Sequence, residues 1–140
     1  MTPHDQHVKK LLSTFFFEFL VAFLPEIARA VDRWCFEFLD KELIWFRRRF
    51  RKAKFVDLVV KVKLKGEPSF ILIHIEHQAR RDPDIARRMF LYAAWLIERY
   101  GLPVWPVLVT SYARPFGPEP KRYELTVRGK PIITFNYEVV

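Results

Sequence analysis

The feature that most constrains this chain is a pair of alternating segments on either side of Gly66-Glu67-Pro68. In Phe55 to Leu64, the residues Val56, Leu58, Val60, Val62 and Leu64 make one unbroken apolar face, and Asp57, Lys61 and Lys63 point the other way. In Ser69 to Gln78, Ile71, Ile73 and Ile75 share one face, and Phe70, Leu72, His74, Glu76 and Gln78 share the other. The second segment begins apolar on both faces, which predicts a central strand. An antiparallel hairpin must place the even positions of the first strand beside the isoleucines of the second. Opposite residues then have numbers of constant odd sum, and a turn centred between Gly66 and Glu67 makes that sum 133. Leu64 faces Ser69, and Asp57 faces Glu76. A slip of one residue would turn the polar face onto the isoleucines, which sheets strongly resist.

Directly opposed side chains have Cβ atoms roughly 5 Å apart. Two ionised carboxylates at that separation repel by on the order of 3 kcal/mol at an effective dielectric of ~20. They share a proton, gain a basic neighbour or bind a cation. Mg²⁺ (or Mn²⁺) suits the last case, since it takes one or two carboxylates and completes its shell with water and phosphate oxygens. Gln78, two residues beyond Glu76, points at the same site and can orient a water or a phosphate oxygen. The competing assignment pairs Asp57 with Lys61 as a structural ion pair. His74 and His77 alternate to opposite faces, so they do not ligate one ion together, and structural zinc spacings are missing. His74-Ile75-Glu76 matches the H-x-E of zinc deaminases, but the accompanying P-C-x-x-C is absent. His77 is expected to end the strand, with its backbone carbonyl within reach of an ion held by Glu76.

The rest of the chain supplies the surrounding elements. Val8, Leu11, Leu12, Phe15, Phe16, Phe19, Leu20 and Phe23 have the spacing of one helix with a wide apolar face. Pro25 opens a short second helix to about Arg33, and Trp34 to Phe46 reads as a strand. A later helix has Asp82 as N-cap and Pro83 in its first turn. It runs through Ile85, Met89, Tyr92, Ala93, Leu96 and Tyr100 to a stop at Gly101. Val104 to Val109 is a further strand, with Pro106 arguing for an edge or a strand start. Tyr123 to Val127 and Ile132 to Tyr137, around Gly129, form a terminal hairpin. The order is a mixed α/β (α+β) domain. Its 140 residues, 51% hydrophobic, make one domain over 1–140 with a substantial core.

A formal net charge of +8 points toward a polyanion such as DNA. Two basic clusters flank the proposed site. Arg47, Arg48, Arg49, Arg51, Lys52 and Lys54 precede the strand of Asp57, and Arg80, Arg81, Arg87 and Arg88 follow the strand of Glu76. Both can grip phosphates, and the plainer alternative for each is a solvated basic surface. One cysteine, Cys35, excludes an internal disulfide, and with no signal peptide a reducing cytoplasmic setting is expected. The most apolar segment, Phe15 to Leu24, is short of the ~20 residues that cross a bilayer, so no membrane span is expected.

Asp57 followed by Glu76-His77-Gln78 at the end of the next strand resembles the PD-(D/E)XK nuclease superfamily. More narrowly, the chain is similar to the recombination-promoting nuclease and transposase family. The carrying features are His4-Asp5, Leu12-Ser13-Thr14-Phe15-Phe16, Phe38-Leu39-Asp40-Lys41-Glu42-Leu43 and Val56-Asp57-Leu58-Val59. They continue with Ile73-His74-Ile75-Glu76-His77-Gln78, Arg88-Met89-Phe90 with Tyr92, and Glu98-Arg99-Tyr100-Gly101-Leu102-Pro103. The resemblance implies a restriction-endonuclease-like core of helix, three strands, helix and strand in a mixed sheet. It also implies Mg²⁺-dependent endonucleolytic cleavage of DNA, with Asp57 and Glu76 as ligands. Most of the superfamily carries lysine two positions after the glutamate, where this chain has Gln78; the narrower family is similar to this chain there. The superfamily often adds an acidic residue from the first helix, for which Glu18 is the candidate. Lys10, Thr14 and Glu18, at spacing four, equally form the solvent stripe of that helix. Asp40 and Glu42 are weaker candidates. Relatives extend beyond the nuclease core, so the chain is expected to be a fragment or a short member. Double-strand cutting would favour a homodimer. Two other classes stay open: a nuclease fold without chemistry that binds nucleic acid, and an interaction module anchored by Trp45, Phe46 and Phe50.

Overall fold

The computed structural model describes residues 3–39, 58–113 and 117–140, with the side chains of 3–6, 8 and 9 left aside. The hairpin at its centre forms in the register that alternation dictates. Strand β2 (Leu58–Leu64) pairs antiparallel with β3 (Phe70–Gln78), with Leu58 opposite Ile75, Val60 opposite Ile73 and Val62 opposite Ile71. Every pair sums to 133, and Leu64 accepts the expected closure, its N–H donating to the Ser69 carbonyl at 2.9 Å. Asp57 lies outside the described residues.

Around this hairpin a five-stranded mixed sheet has the order β1-β2-β3-β4-β7. Strand β1 (Val31–Phe38) is antiparallel to β2, and β4 (Val104–Thr110) is parallel to β3. The two-residue β7 (Glu138–Val139) lies parallel to β4. A separate hairpin joins β5 (Arg122–Val127) to β6 (Lys130–Asn136). Arg128 (φ 51°) and Gly129 (φ 79°) form its two-residue turn, both in the left-handed region that such hairpins require. Strand β3 is central, with Leu72, Ile73, His74 and Ile75 all at 0% exposure, as its two apolar faces predict.

Helices cover both faces of the sheet. On one face lie α1 (Pro3–Thr14), α2 (Phe16–Phe23) and α3 (Pro25–Ala30). Their Leu12, Phe16, Leu20, Leu24 and Ile27 pack with Leu58, Val60, Val62, Ile73, Ile75 and Val107. On the other face α4 (Ile85–Tyr100) buries Ile85, Met89, Tyr92, Ala93 and Leu96, the residues whose spacing marked its inner side. Tyr92 and Leu96 meet Val59 and Leu72, while Ile85 and Met89 meet Leu108 and Tyr137. Gly101 ends the helix at φ 64°, its N–H donating to the Ile97 carbonyl at 2.8 Å.

Several expectations are corrected. The first helix is two helices broken at Phe15 (φ −115°, ψ 34°), beside Thr14, whose hydroxyl donates to the Lys10 carbonyl at 2.8 Å. Such back-bonding by threonine bends helices. The buried stripe is narrower than the apolar one: Leu11, Phe15 and Phe23 are exposed. The following short helix ends at Ala30, because Val31 already belongs to β1 and is buried beneath α3. Strand β1 begins before Trp34, and the stretch from 40 to 57 lies outside the described residues. Asp84 rather than Asp82 holds the N-cap position of α4 and makes no side-chain capping bond there, while the Asp82 carboxylate takes the Asp84 N–H and Arg88. Pro106, near the start of β4, pairs with His74 on one side only; β7 reaches just Val107 and Leu108, so the strand is locally an edge there, as expected, and no partner asks for the missing N–H. The final strand β7, too short to be read from alternation, returns the chain to the main sheet.

The narrowed stripe makes a direct prediction. Leu20→Ala, at 0% exposure, should cost about 3 kcal/mol in denaturant unfolding, while Leu11→Ala, at 59%, should stay within about 0.5 kcal/mol.

Candidate functional site

The second half of β3 carries polar residues into the interior: His74, Glu76, His77 and Gln78 are at 0%, 1%, 5% and 4% exposure. Alternation sends His74, Glu76 and Gln78 toward α4, and His77 toward the α1–α3 side. There the ring of His77 hydrogen-bonds Ser111 Oγ at 2.8 Å through Nε2. The two histidines are therefore on opposite faces, as their spacing requires.

On the α4 side, His74 Nε2 lies 3.2 Å from Glu76 Oε2, and the His74 ring stands edge-on to Tyr92 with centroids 5.8 Å apart. Arg88, one turn before Tyr92 on α4, donates from Nη2 to the Tyr92 hydroxyl at 2.9 Å and from Nη1 to the Asp82 carboxylate. Burial opposes the charge of Arg88. Hydrogen bonds to Tyr92 and Asp82, with the nearby charge of Glu76, more than offset it and hold the guanidinium above its usual range. His74, Glu76, Arg88, Tyr92 and Asp82 thus form one network between the central strand and the start of α4. Strand β4 runs parallel beside it, with Leu108 next to Glu76 and Thr110 next to Gln78. The site lies at the carboxyl ends of two adjacent parallel strands joined through a helix, the place where open α/β sheets hold ligands.

The other sequence candidates are distributed as follows. Glu18 is exposed on α2, and α2 packs on the opposite face of the sheet from Glu76. The fold therefore does not bring them together. Lys61 faces the α4 side but holds its ammonium over the Phe70 ring, 4.7 Å from the centroid, opposite Leu72 rather than Glu76. Arg80, Arg81 and Arg87 are exposed, with Arg87 3.5 Å from Asp84. Arg88 is half-buried, with its guanidinium engaged by Asp82 and Tyr92. Asp57 and the basic residues Arg47, Arg48, Arg49, Arg51, Lys52 and Lys54 lie outside the described residues, as do Asp40, Glu42, Trp45, Phe46 and Phe50. Among the described residues no group of three or more His, Cys, Asp or Glu could hold a metal ion. Among the described residues the Glu76 carboxylate is an oxygen donor of the kind a hard cation takes, with the His74 ring nitrogen 3.2 Å from it and Gln78 two residues on along the same face.

A second polar group was missed in the sequence. Glu119 is buried and accepts a hydrogen bond from the Tyr112 hydroxyl, and its charge acts on Tyr137. Burial, then Glu119, push the Tyr137 phenol up to about 12. Nothing in the spacing of Tyr112, Glu119 and Tyr137 announces this group, because loops and β7 bring it together. Asp82, Arg88 and Tyr92 were more accessible to inference, since the last two are one helical turn apart.

No curated protein and no solved structure matches the chain. A family model described as "Putative transposase, YhgA-like" matches residues 2–103, which span α1 to the turn before β4 and include the whole β3–α4 network.

The raised phenol predicts a pH dependence. An unfolded tyrosine ionises near pH 10 and the folded one near 12, so the Tyr137 contribution is intact below pH 10 and is lost as pH rises to 12. Thermal melts of Tyr137→Phe should fall less steeply than wild type across that window. The family match covers 102 of 140 residues, from 2 to 103, and the chain therefore belongs to the YhgA-like transposase family.

Proposed function

We propose that this chain is a metal-dependent DNA endonuclease domain of the PD-(D/E)XK type, acting in transposition or recombination. The observation that carries the reading is a fully buried glutamate on a central strand, at the end of a hairpin whose register pairs Leu58 with Ile75. We extend the same constant sum of 133 to Asp57 and Glu76, the pairing that the alternation of the sequence leads us to expect. Alternation directs odd positions of β2 to the α4 face, as Val59 packing on Tyr92 and Leu96 illustrates. Family membership supports the association with DNA transactions.

In this reading Asp57 and Glu76 hold Mg²⁺ or Mn²⁺, with the His77 carbonyl beside them. The bound ion supplies Lewis acidity at the scissile phosphate. His74 orients the Glu76 carboxylate through Oε2, 3.2 Å from its Nε2. Gln78 orients water or a phosphate oxygen but supplies no charge. Arg88 adds a fixed positive field, held in place by Asp82 and Tyr92, that favours a phosphate approaching the site. Arg80, Arg81 and Arg87, exposed beside the amino end of α4, contact the flanking backbone in this reading, and the sequence offers the basic run Arg47 to Lys54 for the same role.

A second reading rests on the same network: His74 and Arg88 neutralise Glu76 without a metal, and the domain binds nucleic acid without cutting it. Supercoiled plasmid separates the two. With Mg²⁺ or Mn²⁺ the wild type should nick it, and Asp57→Asn and Glu76→Gln should each lower the rate at least about 100-fold, the scale of losing one transition-state charge contact. DNA binding without nicking would favour the second reading.

A further inference from the structure

The β5–β6 hairpin lies outside the segment matched by the family model and outside the main sheet. Its base is built firmly into the domain. Tyr123 stacks on Phe90 of α4 with centroids 5.3 Å apart, and Phe135 meets the same ring edge-on at 5.6 Å. The Tyr137 N–H donates to the Lys121 carbonyl at 3.1 Å, and β7 then joins the main sheet beside β4. The ribbon is therefore mounted on the helix that carries Arg88, and its direction relative to Glu76 is set at both ends.

Its outer half is different. Leu125, Val127 and Ile132 are 44%, 60% and 56% exposed, and the turn residues Arg128 and Gly129 are exposed with them. A two-stranded ribbon exposed in this way gains little from its own packing. Its charge is one-sided: Lys121, Arg122, Arg128 and Lys130 are all exposed, against the single acid Glu124.

We infer that the β5–β6 hairpin is a DNA-contacting ribbon that enters the major groove, with Arg128 and Lys130 at its tip on phosphates. The inference deepens the nuclease reading by naming the element that seats the duplex, and it rests on DNA being the partner. Size agrees: strands lie ~4.8 Å apart, and the major groove, about 12 Å wide, admits a two-stranded ribbon. The six residues of β5 reach about 20 Å, enough to cross the groove from an anchored base. The exposed aliphatic residues fit the same partner, since thymine methyl groups line that groove. A protein partner would also cover the aliphatic residues, but it would leave the excess of four cations over one carboxylate without counter-charge.

The test is duplex binding by fluorescence anisotropy in EDTA, across a salt series, for wild type and for Arg128→Asn/Lys130→Gln. Asparagine before glycine suits this turn, so the variant should keep the hairpin and the melting temperature. Loss of two phosphate contacts should reduce the slope of log K against log salt by about 2. Methyl green, which occupies the major groove, should compete with wild type, and netropsin in the minor groove should not. An unchanged slope, competition by netropsin alone, or no duplex binding at all would overturn the proposal. Self-association of the wild type that the variant loses, with the slope unchanged, would assign the ribbon to a second copy instead. Because EDTA prevents cleavage, the binding result stands apart from nicking. Binding as expected with no nicking under metal would defeat the nuclease reading and leave the ribbon in place.

Discussion

The pairing of β2 with β3 is the constraint on which the rest depends. Both strands carry one wholly apolar face, and only one parity of register puts those faces together. That choice fixes which residues of β3 look toward α1–α3 and which toward α4. Ile73 and Ile75 close the core beneath Leu20 and Ile27, and by the same alternation His74, Glu76 and Gln78 turn inward beneath α4. The helix layer and the polar site are therefore two consequences of one parity. A slipped register would bury lysines and expose isoleucines, so the energy that holds the fold also holds the carboxylate.

Burying Glu76 at 1% exposure carries a desolvation cost that the structure meets locally. His74 stands at hydrogen-bond distance, and Arg88 contributes charge from the facing helix. Arg88 is in turn fixed by Asp82 in the turn before α4 and by Tyr92 one helical turn later. Helix α4 thus does more than cover the sheet. Its first turns position a cation over the central strand, and Phe90, on the same turns, seats the basic hairpin. A site and a candidate DNA-contacting element hang from one helix, and this gives them a fixed mutual geometry.

Much of this was legible in the sequence wherever a strict period operated. The β2–β3 register, the central place of β3, the inner face of α4, its stop at Gly101 and the terminal hairpin all follow from alternation, helical spacing or glycine chemistry. The period failed where competing interactions decided. Leu11, Phe15 and Phe23 share the helical stripe but stay exposed, because the buried row follows Leu12, Phe16, Leu20 and Leu24 alone. Asp82 looked like a cap, and its carboxylate does take the Asp84 N–H, but it also pairs with Arg88 and holds that guanidinium half-buried. In the site, the strand that presents Glu76 and Gln78 was readable. Asp82, Arg88 and Tyr92, which hold one another above the strand, and the Tyr112–Glu119–Tyr137 group depend on loops and on packing between elements distant in sequence.

The central proposal is that Glu76, near the carboxyl end of β3, is a metal ligand rather than one half of a buried ion pair. Crystals soaked in Mn²⁺ and measured near its absorption edge address this directly. The account predicts an anomalous peak about 2.1–2.2 Å from a Glu76 carboxylate oxygen, with the Asp57 carboxylate on the same ion. A map with no peak at Glu76, and its carboxylate bound only by His74 and Arg88, would contradict it.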